Sequence, residues 1–319
     1  MDLAFLKTLA AVAETGSLAG AAGRLHLSPA AVHKQMKQLE YRLGVPLYQK
    51  VGRGIRLSAA GAIFLPYAQS ALAQVEAGRQ AVEEWRGLRT GLVRVGTGPT
   101  LGSHWLPGLL KVFRTRFPGI MVTVATGSSD ELLANARLGR LDLALLVASS
   151  GDSEPGFEVF HQWESRLVFV AGDPALPVRS TLSRLSRHPF IGFRKDSRID
   201  HAIERFFARF GLQPNTIMRF DNADAIRAIL RSGLGYSLLP VWTLREDVAA
   251  GHLRLLHPRV SSPTLKVELV RYAQTPLSPA ALAFVELARR QPLEQETSDV
   301  ALTETTKSGI SKRPGPDTD

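Results

Sequence analysis

The sequence predicts a multidomain α/β protein in three parts: a small helical head, a long linker helix and a two-lobed α/β domain. Three patterns carry this prediction. Over the first sixty residues, apolar positions recur at helical spacing with very short breaks between helices. From Ser58 to about Leu88 an apolar seam continues in steps of four and three. Beyond "LRTG" at 88–91, strand-like and helix-like segments alternate, the order expected of parallel, doubly wound sheets. At 319 residues the chain is long enough for each part to have its own core.

Composition narrows the function. An apolar fraction of 45% and a charged fraction of 21% fit an ordinary globular protein. A net charge of +10 and a pI of about 10.2 favour a polyanionic partner. The first sixty residues hold eight Lys and Arg against three Asp and Glu, so +5 of the excess sits there. A basic end on a more balanced body predicts one module that touches nucleic acid and another with a separate task. The absence of cysteine excludes disulfides, thiolate nucleophiles and zinc–thiolate sites. The eight histidines are scattered, with none paired at i, i+4, so no metal and no other cofactor is expected. No stretch reaches the length of a membrane span, and no membrane partner is expected. In "MDLAFLKTLAAVAETG", Ala11-Val12-Ala13 imitates a signal cleavage site. Asp2, however, stands where a basic cluster belongs, and Lys7 interrupts the apolar run. This stretch reads as the first helix of the fold, and the protein is expected in the cytoplasm.

The head divides into three helices. The first covers about 3–14 and stops at Thr15-Gly16. Ser17 caps a second, 18–25, whose "LAGAAGRL" is small enough for close helix packing. After His26-Leu27-Ser28 comes a third, 29–43, with Ser28 as N-cap and Pro29 at the first helical position. At 100° per residue, Met36, Leu39 and Leu43 fall within about 40° of Val32, and Ala30, Lys34, Lys37 and Tyr41 fall near the opposite pole. Two helices joined by so short a turn predict a helix-turn-helix whose second helix enters the major groove of double-stranded DNA. "QKVGRGIRLSAAG" then suggests a two-stranded wing with Arg53 at its tip, beside the phosphate backbone. The DNA-binding candidates are Ser28, Pro29, Ala30, His33, Lys34, Lys37 and Arg53.

Residues 3–61 resemble the winged helix-turn-helix of the LysR-type transcriptional regulators. The resemblance rests on the Gly-Ser turn, the paired Ala before "RL", "QLEYRLGVPLY" and "LSAAG". It departs at the start of the recognition helix, where Pro29, Ala30 and His33 replace the family's usual Gln, Pro and Ser.

In the connector, Phe64, Ala68, Ala71, Val75, Gly78, Val82 and Trp85 form a heptad seam, which predicts a two-stranded coiled coil. Pro66 should bend or loosen its first turns. About thirty residues at ~1.5 Å each would span ~45 Å. The resemblance implies a dimerising helix that pairs two recognition helices, in a homodimer or homotetramer.

The remainder reads as two α/β lobes. "LVRVG", "IMVTVA" and "LDLALLV" are predicted strands, with "WLPGLLKVFRTRF" and "SDELLANARLG" the helices between them. "RLVFVAG", "PFIGF", "DHAIERFFARFG", "IMRF", "NADAIRAILRSG" and "GYSLLP" form a second set, and "LKVELVRYA" with "SPAALAFVELARRQ" returns to the first lobe. The glycines of "VGTGPTLG" imitate a dinucleotide fingerprint, but the last falls one place late and Pro99 breaks the turn. Thr100 and Ser103 near a helix N-terminus suit a small anion better, as do Ser128 and Ser129 in "TGSSDEL" and Arg194 and Ser197 in "FRKDSR". "FPGIMVTVATGSSDELLANARLGRLDLAL" and "AILRSGLGYSLLP" extend the resemblance to the family's two-lobed effector domain, which is like a periplasmic binding protein. It implies a small, often anionic effector at positions matching Thr100, Ser128 and the Arg194 region. The loop after "LDLALLV" has no Arg, an anchor that some members use for carboxylates.

The expected division is a DNA-binding head at 1–58, a linker helix at 59–88, an effector domain at 91–292 and a disordered tail at 293–319. Lobe I covers about 91–162 and 266–292, and lobe II about 163–265. The function expected is a DNA-binding regulator that senses a small, anionic metabolite and is not an enzyme. A cytoplasmic small-molecule-binding module would leave the first ninety residues unexplained. An α/β enzyme would need a nucleophile elbow, a metal cluster or a phosphate loop, and the sequence carries none of these.

Overall fold

A computed structural model describes residues 2–51, 54–84, 90–148 and 154–293. The head consists of α1 (Leu3–Thr15), α2 (Leu18–Leu25), α3 (Pro29–Leu43) and the antiparallel ribbon β1 (Tyr48–Val51) and β2 (Gly54–Leu57). Its core includes the apolar positions of the helical pattern, among them Leu9 and Val12 of α1 and Val32, Met36 and Leu39 of α3, together with Ala21 and Ala22 of α2, Leu47 before the ribbon and Ala68 of α4. Helix α4 (Ala59–Glu84) continues through Pro66, which was expected to loosen it.

The heptad seam divides. Ala68 is buried, and Phe64 and Ala71 pack on the head's own core, whereas Val75 and Val82 are exposed. The first half of the seam therefore serves the head and leaves only the second half open; Trp85 lies outside the described residues. Further along α4, Gln74 Nε2 donates to the carbonyl of Gln274 at 2.7 Å, tying the helix to the large domain.

The large domain begins with β3 (Gly91–Thr97), α5 (Pro99–His104), α6 (Leu106–Arg116), β4 (Ile120–Thr126), α7 (Ser129–Arg137), β5 (Leu143–Val147) and β6 (Phe157–Ala171). It continues with β7 (Arg179–Ser180), α8 (Leu182–Leu185), β8 (Pro189–Phe193), α9 (Arg198–Ala208), β9 (Asn215–Phe220), α10 (Ala223–Arg231) and β10 (Tyr236–Pro240). A 3-10 turn at Val241–Thr243 leads into α11 (Arg245–Ala249), β11 (Arg254–Pro258), β12 (Thr264–Tyr272) and α12 (Pro279–Arg290).

One 10-stranded sheet runs through both lobes in the order β4-β3-β5-β12-β6-β10-β8-β9, with β11 paired to β6 and β7. The expected parallel arrangement holds within β4-β3-β5, within β10-β8-β9 and in the short β7-β11 pair. Between them β12 and β6 are antiparallel to each other and to their outer neighbours, because both strands cross from one lobe to the other. The expected lobe boundaries at 162/163 and 265/266 fall inside these two strands.

Lobe I buries Val93, Val95, Phe113, Trp163 and Phe284 on one face of the sheet, and Leu132, Leu133 and Leu146 on the other. Lobe II is built around Phe169, Phe190, Phe207 and Tyr236. Leu293, assigned above to a disordered tail, is buried in the lobe I core, so the ordered part extends at least one residue further.

Candidate nucleic-acid interface and effector cleft

Helix α3, the expected recognition helix, is fixed by its surroundings. Ser28 Oγ accepts the Ala31 N–H at 3.2 Å, Pro29 occupies the first turn, and Gly44 closes the far end in the left-handed region at φ 71°. The turn before it works because His26 also adopts the left-handed region and the Leu27 N–H reaches the Ala22 carbonyl at 3.0 Å. With Val32, Met36 and Leu39 fully buried, Ser28, Pro29, Ala30, His33, Lys34 and Lys37 are left exposed together.

The two lysines differ. Lys34 has no ion pair with any described residue. Lys37 Nζ lies 2.7 Å from Glu40 Oε2 and 5.5 Å from the centre of the Tyr48 ring. The hydrogen bond to Glu40, and then that carboxylate's charge, raise the Lys37 pKa. Glu40 is itself buried, and its Oε1 accepts the Leu47 N–H at 2.8 Å.

The ribbon is held just as closely. Ser58 Oγ donates to the Pro46 carbonyl at 2.7 Å and accepts the Gly61 N–H at 3.1 Å. A Cβ at Gly61 would meet the Leu47 carbonyl oxygen at 2.1 Å, so that position has no room for a side chain. Arg53 lies outside the described residues. Lys50 and Arg56, passed over in the sequence, are exposed cations on the ribbon.

A cleft of about 570 Å³ opens between the lobes, at the carboxyl ends of the parallel strands. Lobe I lines it with Gly98 to Leu101 and Thr126 to Glu131, and lobe II with Phe193 to Ile199. Thr100, Ser128, Ser129, Arg194 and Ser197 all line it; Ser103 does not, and is exposed near the end of α5.

Several expected donors are already engaged. Thr100 is buried, and its Oγ1 accepts the Ala223 N–H of α10 at 3.1 Å, so its hydroxyl joins the two lobes. Ser128 caps α7 in a capping box: its N–H and Oγ both donate to Glu131 Oε2 at 2.8 Å, and its Oγ accepts the Glu131 N–H at 3.3 Å. A carboxylate thus already sits at the α7 N-terminus. The hydrogen bonds from Ser128, followed by the charge of Arg194, hold the Glu131 carboxyl below its ordinary range. Ser197 Oγ accepts the Asp200 N–H at 3.2 Å as the cap of α9. Arg194 is exposed at the mouth of the cleft.

Two further residues escaped the sequence reading. Arg198, the neighbour of Ser197, is the most enclosed cation of the cleft, with a side chain only 13% exposed. Its Nη1 donates to the Val147 carbonyl at 3.0 Å, and its Nη2 pairs with Glu154. "FRKDSR" contains it, but only the fold shows it reaching into lobe I, beside the loop that lacks an Arg of its own. Trp242 forms part of the wall, its Nε1 donating to Ser165 Oγ at 3.0 Å. On the other side of Trp242, His104 of lobe I pairs with Asp224 of α10 at 2.8 Å, and Arg227 links Asp224 to Asp247. The cleft can therefore enclose a small polar molecule between lobes joined at both edges. Among the described residues no three His, Asp or Glu side chains form a metal-binding group, and no helix is long and apolar enough to cross a membrane.

A basic helix-turn-helix joined by a long helix to a two-lobed binding domain defines a ligand-responsive transcriptional regulator. Residues 3–62 match the bacterial regulatory helix-turn-helix protein model of the lysR family, and residues 86–292 match the LysR substrate binding domain. The chain belongs to the LysR family: it is a DNA-binding transcriptional regulator with an effector-binding domain, and not an enzyme. It is 31% identical to the HTH-type transcriptional activator CmpR of Synechocystis sp. over 253 residues, which cover 78% of this chain and 82% of the relative. It is 32% identical to the RuBisCO operon transcriptional regulator of Acidithiobacillus ferrooxidans over 284 residues, 88% and 91% of the two chains. Full-length CbnR in complex with its target DNA has a similar structure. Its TM-score is 0.64 at 25% identity, covering 91% of this chain and all of the other.

Proposed function

We propose that α3 lies in the major groove of a duplex operator and that the interlobe cleft binds a small, anionic metabolite which changes how the DNA heads are held. The observation that carries the DNA reading is the division of α3: Val32, Met36 and Leu39 are fully buried while His33, Lys34 and Lys37 remain exposed. Lys34, with no described ion-pair partner, supplies a phosphate contact, and His33 is the side chain nearest a base-reading role. The functional division is a head at 1–58, a connector at 59–88 and an effector domain at 91–293. Two copies pair through the outer half of α4, where Val75 and Val82 are exposed, and act on a two-fold site in the cytoplasm. Effector binding changes lobe closure, and its leverage is its preference for one state, typically about 1–3 kcal/mol.

Replacing Lys34 by Ala tests the DNA face. The expected result is weaker binding to every duplex and a salt dependence reduced by about one phosphate contact. Gel shifts over a range of salt concentrations on specific and unrelated DNA measure both. Unchanged binding with an unchanged slope would remove α3 from the interface.

A further inference from the structure

We propose that Arg198 is the anchor for a carboxylate of the effector, and that Glu154 occupies this anchor in the ligand-free protein, so that binding exchanges one carboxylate for another. The inference rests on the reading of the cleft as the effector site. Arg198 belongs to lobe II, at the first position of α9, yet among the described residues the partners of its side chain are all on lobe I: the Val147 carbonyl at 3.0 Å, Glu154, and Asp130 at 3.7 Å. Its side chain is 13% exposed and that of Glu154 20%, whereas Asp130 is 92% exposed. Arg198 and Glu154 therefore form the enclosed pair, and Asp130 stands at its rim.

A guanidinium shielded from water needs a counter-ion, because leaving it unpaired costs far more than at the surface. Glu154 meets that need from the protein's own chain. Arg198 also lines the cleft, so a ligand there reaches the same guanidinium. The seat suits a carboxylate because a carboxylate side chain already fills it. The ligand should carry few negative charges, since Asp130, Asp196 and Asp221 line the same space and repel further anions. Arg194 and Lys195, both exposed at the mouth, serve entry more than retention.

The exchange also links binding to lobe position. While Glu154 holds Arg198, lobe II is tied to the segment of lobe I that precedes β6; an incoming carboxylate breaks that tie and replaces it with its own bridge. A specific weak-anion response should therefore be masked in the wild type and uncovered when Glu154 loses its charge.

The test is the thermal melting of the full-length protein titrated with sodium acetate against sodium chloride at equal ionic strength. Glu154→Gln should respond to acetate with half-saturation about tenfold below that of the wild type, the size of an ordinary coupling between sites. Glu154→Ala provides the same reading should the Gln variant fold poorly. Arg198→Gln, alone or combined with Glu154→Gln, should lose the response. Equal half-saturation in wild type and Glu154→Gln, no response in Glu154→Gln, or a response that survives Arg198→Gln would each overturn the exchange. Thr126→Trp, which fills the cleft from the end of β4, separates the two levels of failure. A response independent of Glu154 and Arg198 but lost in Thr126→Trp leaves the cleft reading standing, and one that also survives Thr126→Trp ends both.

Discussion

Glu40 shows how much one side chain can decide. A glutamate on a basic helix looks like a solvated residue, yet its carboxylate is buried, accepts the Leu47 N–H and holds Lys37. It fixes the ribbon against the recognition helix and, at the same time, offsets part of that helix's positive charge. Glu40→Gln keeps an acceptor for Leu47 but releases Lys37. The expected outcome is tighter, more salt-dependent binding to all DNA, with a stability loss below about 1 kcal/mol because Lys37 is largely exposed. Salt-titrated binding isotherms and urea melts check the two halves separately; weaker DNA binding at unchanged stability would contradict it. Sequence reasoning missed Glu40 because a carboxylate seven residues before its backbone partner has no local signature.

Among the elements, α3 was the most legible. Ser28, Pro29 and the Val32/Met36/Leu39 spacing are local signals, and local signals decided its ends and its buried face. By contrast, β6 runs for 15 residues, whereas the sequence pattern predicts only "RLVFVAG" as strand. Its first half, "FEVFHQWES", mixes charged, aromatic and polar residues because it crosses between lobes, and no single hydrophobic alternation describes it. The helix caps were legible too, but their employment was not. Thr100, inside α5 rather than at its cap, lines the cleft and also accepts the first N–H of α10 from the other lobe, which its sequence context does not signal. Thr100→Val should therefore lower stability by about 1–3 kcal/mol, the cost of a buried amide without a partner, and Thr100→Ser should restore it. Thermal melts of the three proteins decide this; equal midpoints for Thr100 and Val would mean that the bond contributes nothing.

Across the whole molecule, the two parallel halves could be inferred from alternating strands and helices, whereas their joining into one sheet could not. That join depends on β12 returning from lobe II, a contact between segments about a hundred residues apart. Stability should depend on pH through His161 and His257. Burial lowers both pKa values, helped by Arg289 for the first and by Arg179 for the second. The unfolded chain then takes up protons more readily than the folded one, so this stability is complete above the ordinary histidine value of about 6.5 and is lost as pH falls below it. The urea midpoint should drop between about pH 7.5 and pH 5.5, and the double variant His161→Gln, His257→Gln should drop less. Identical drops would assign the acid sensitivity to other groups.

The ladder of β6 against β12 slips in register between Leu269 and Val270, where Phe160 has no Cα partner on the facing strand. Both lobes hang from this pair of strands, so they cannot swing on a slack tether. Relative movement must wind or unwind a twisted ribbon whose most compliant point is that slip. Rotation of one lobe against the other should therefore meet an elastic load in this ribbon, one that favours return once the effector leaves.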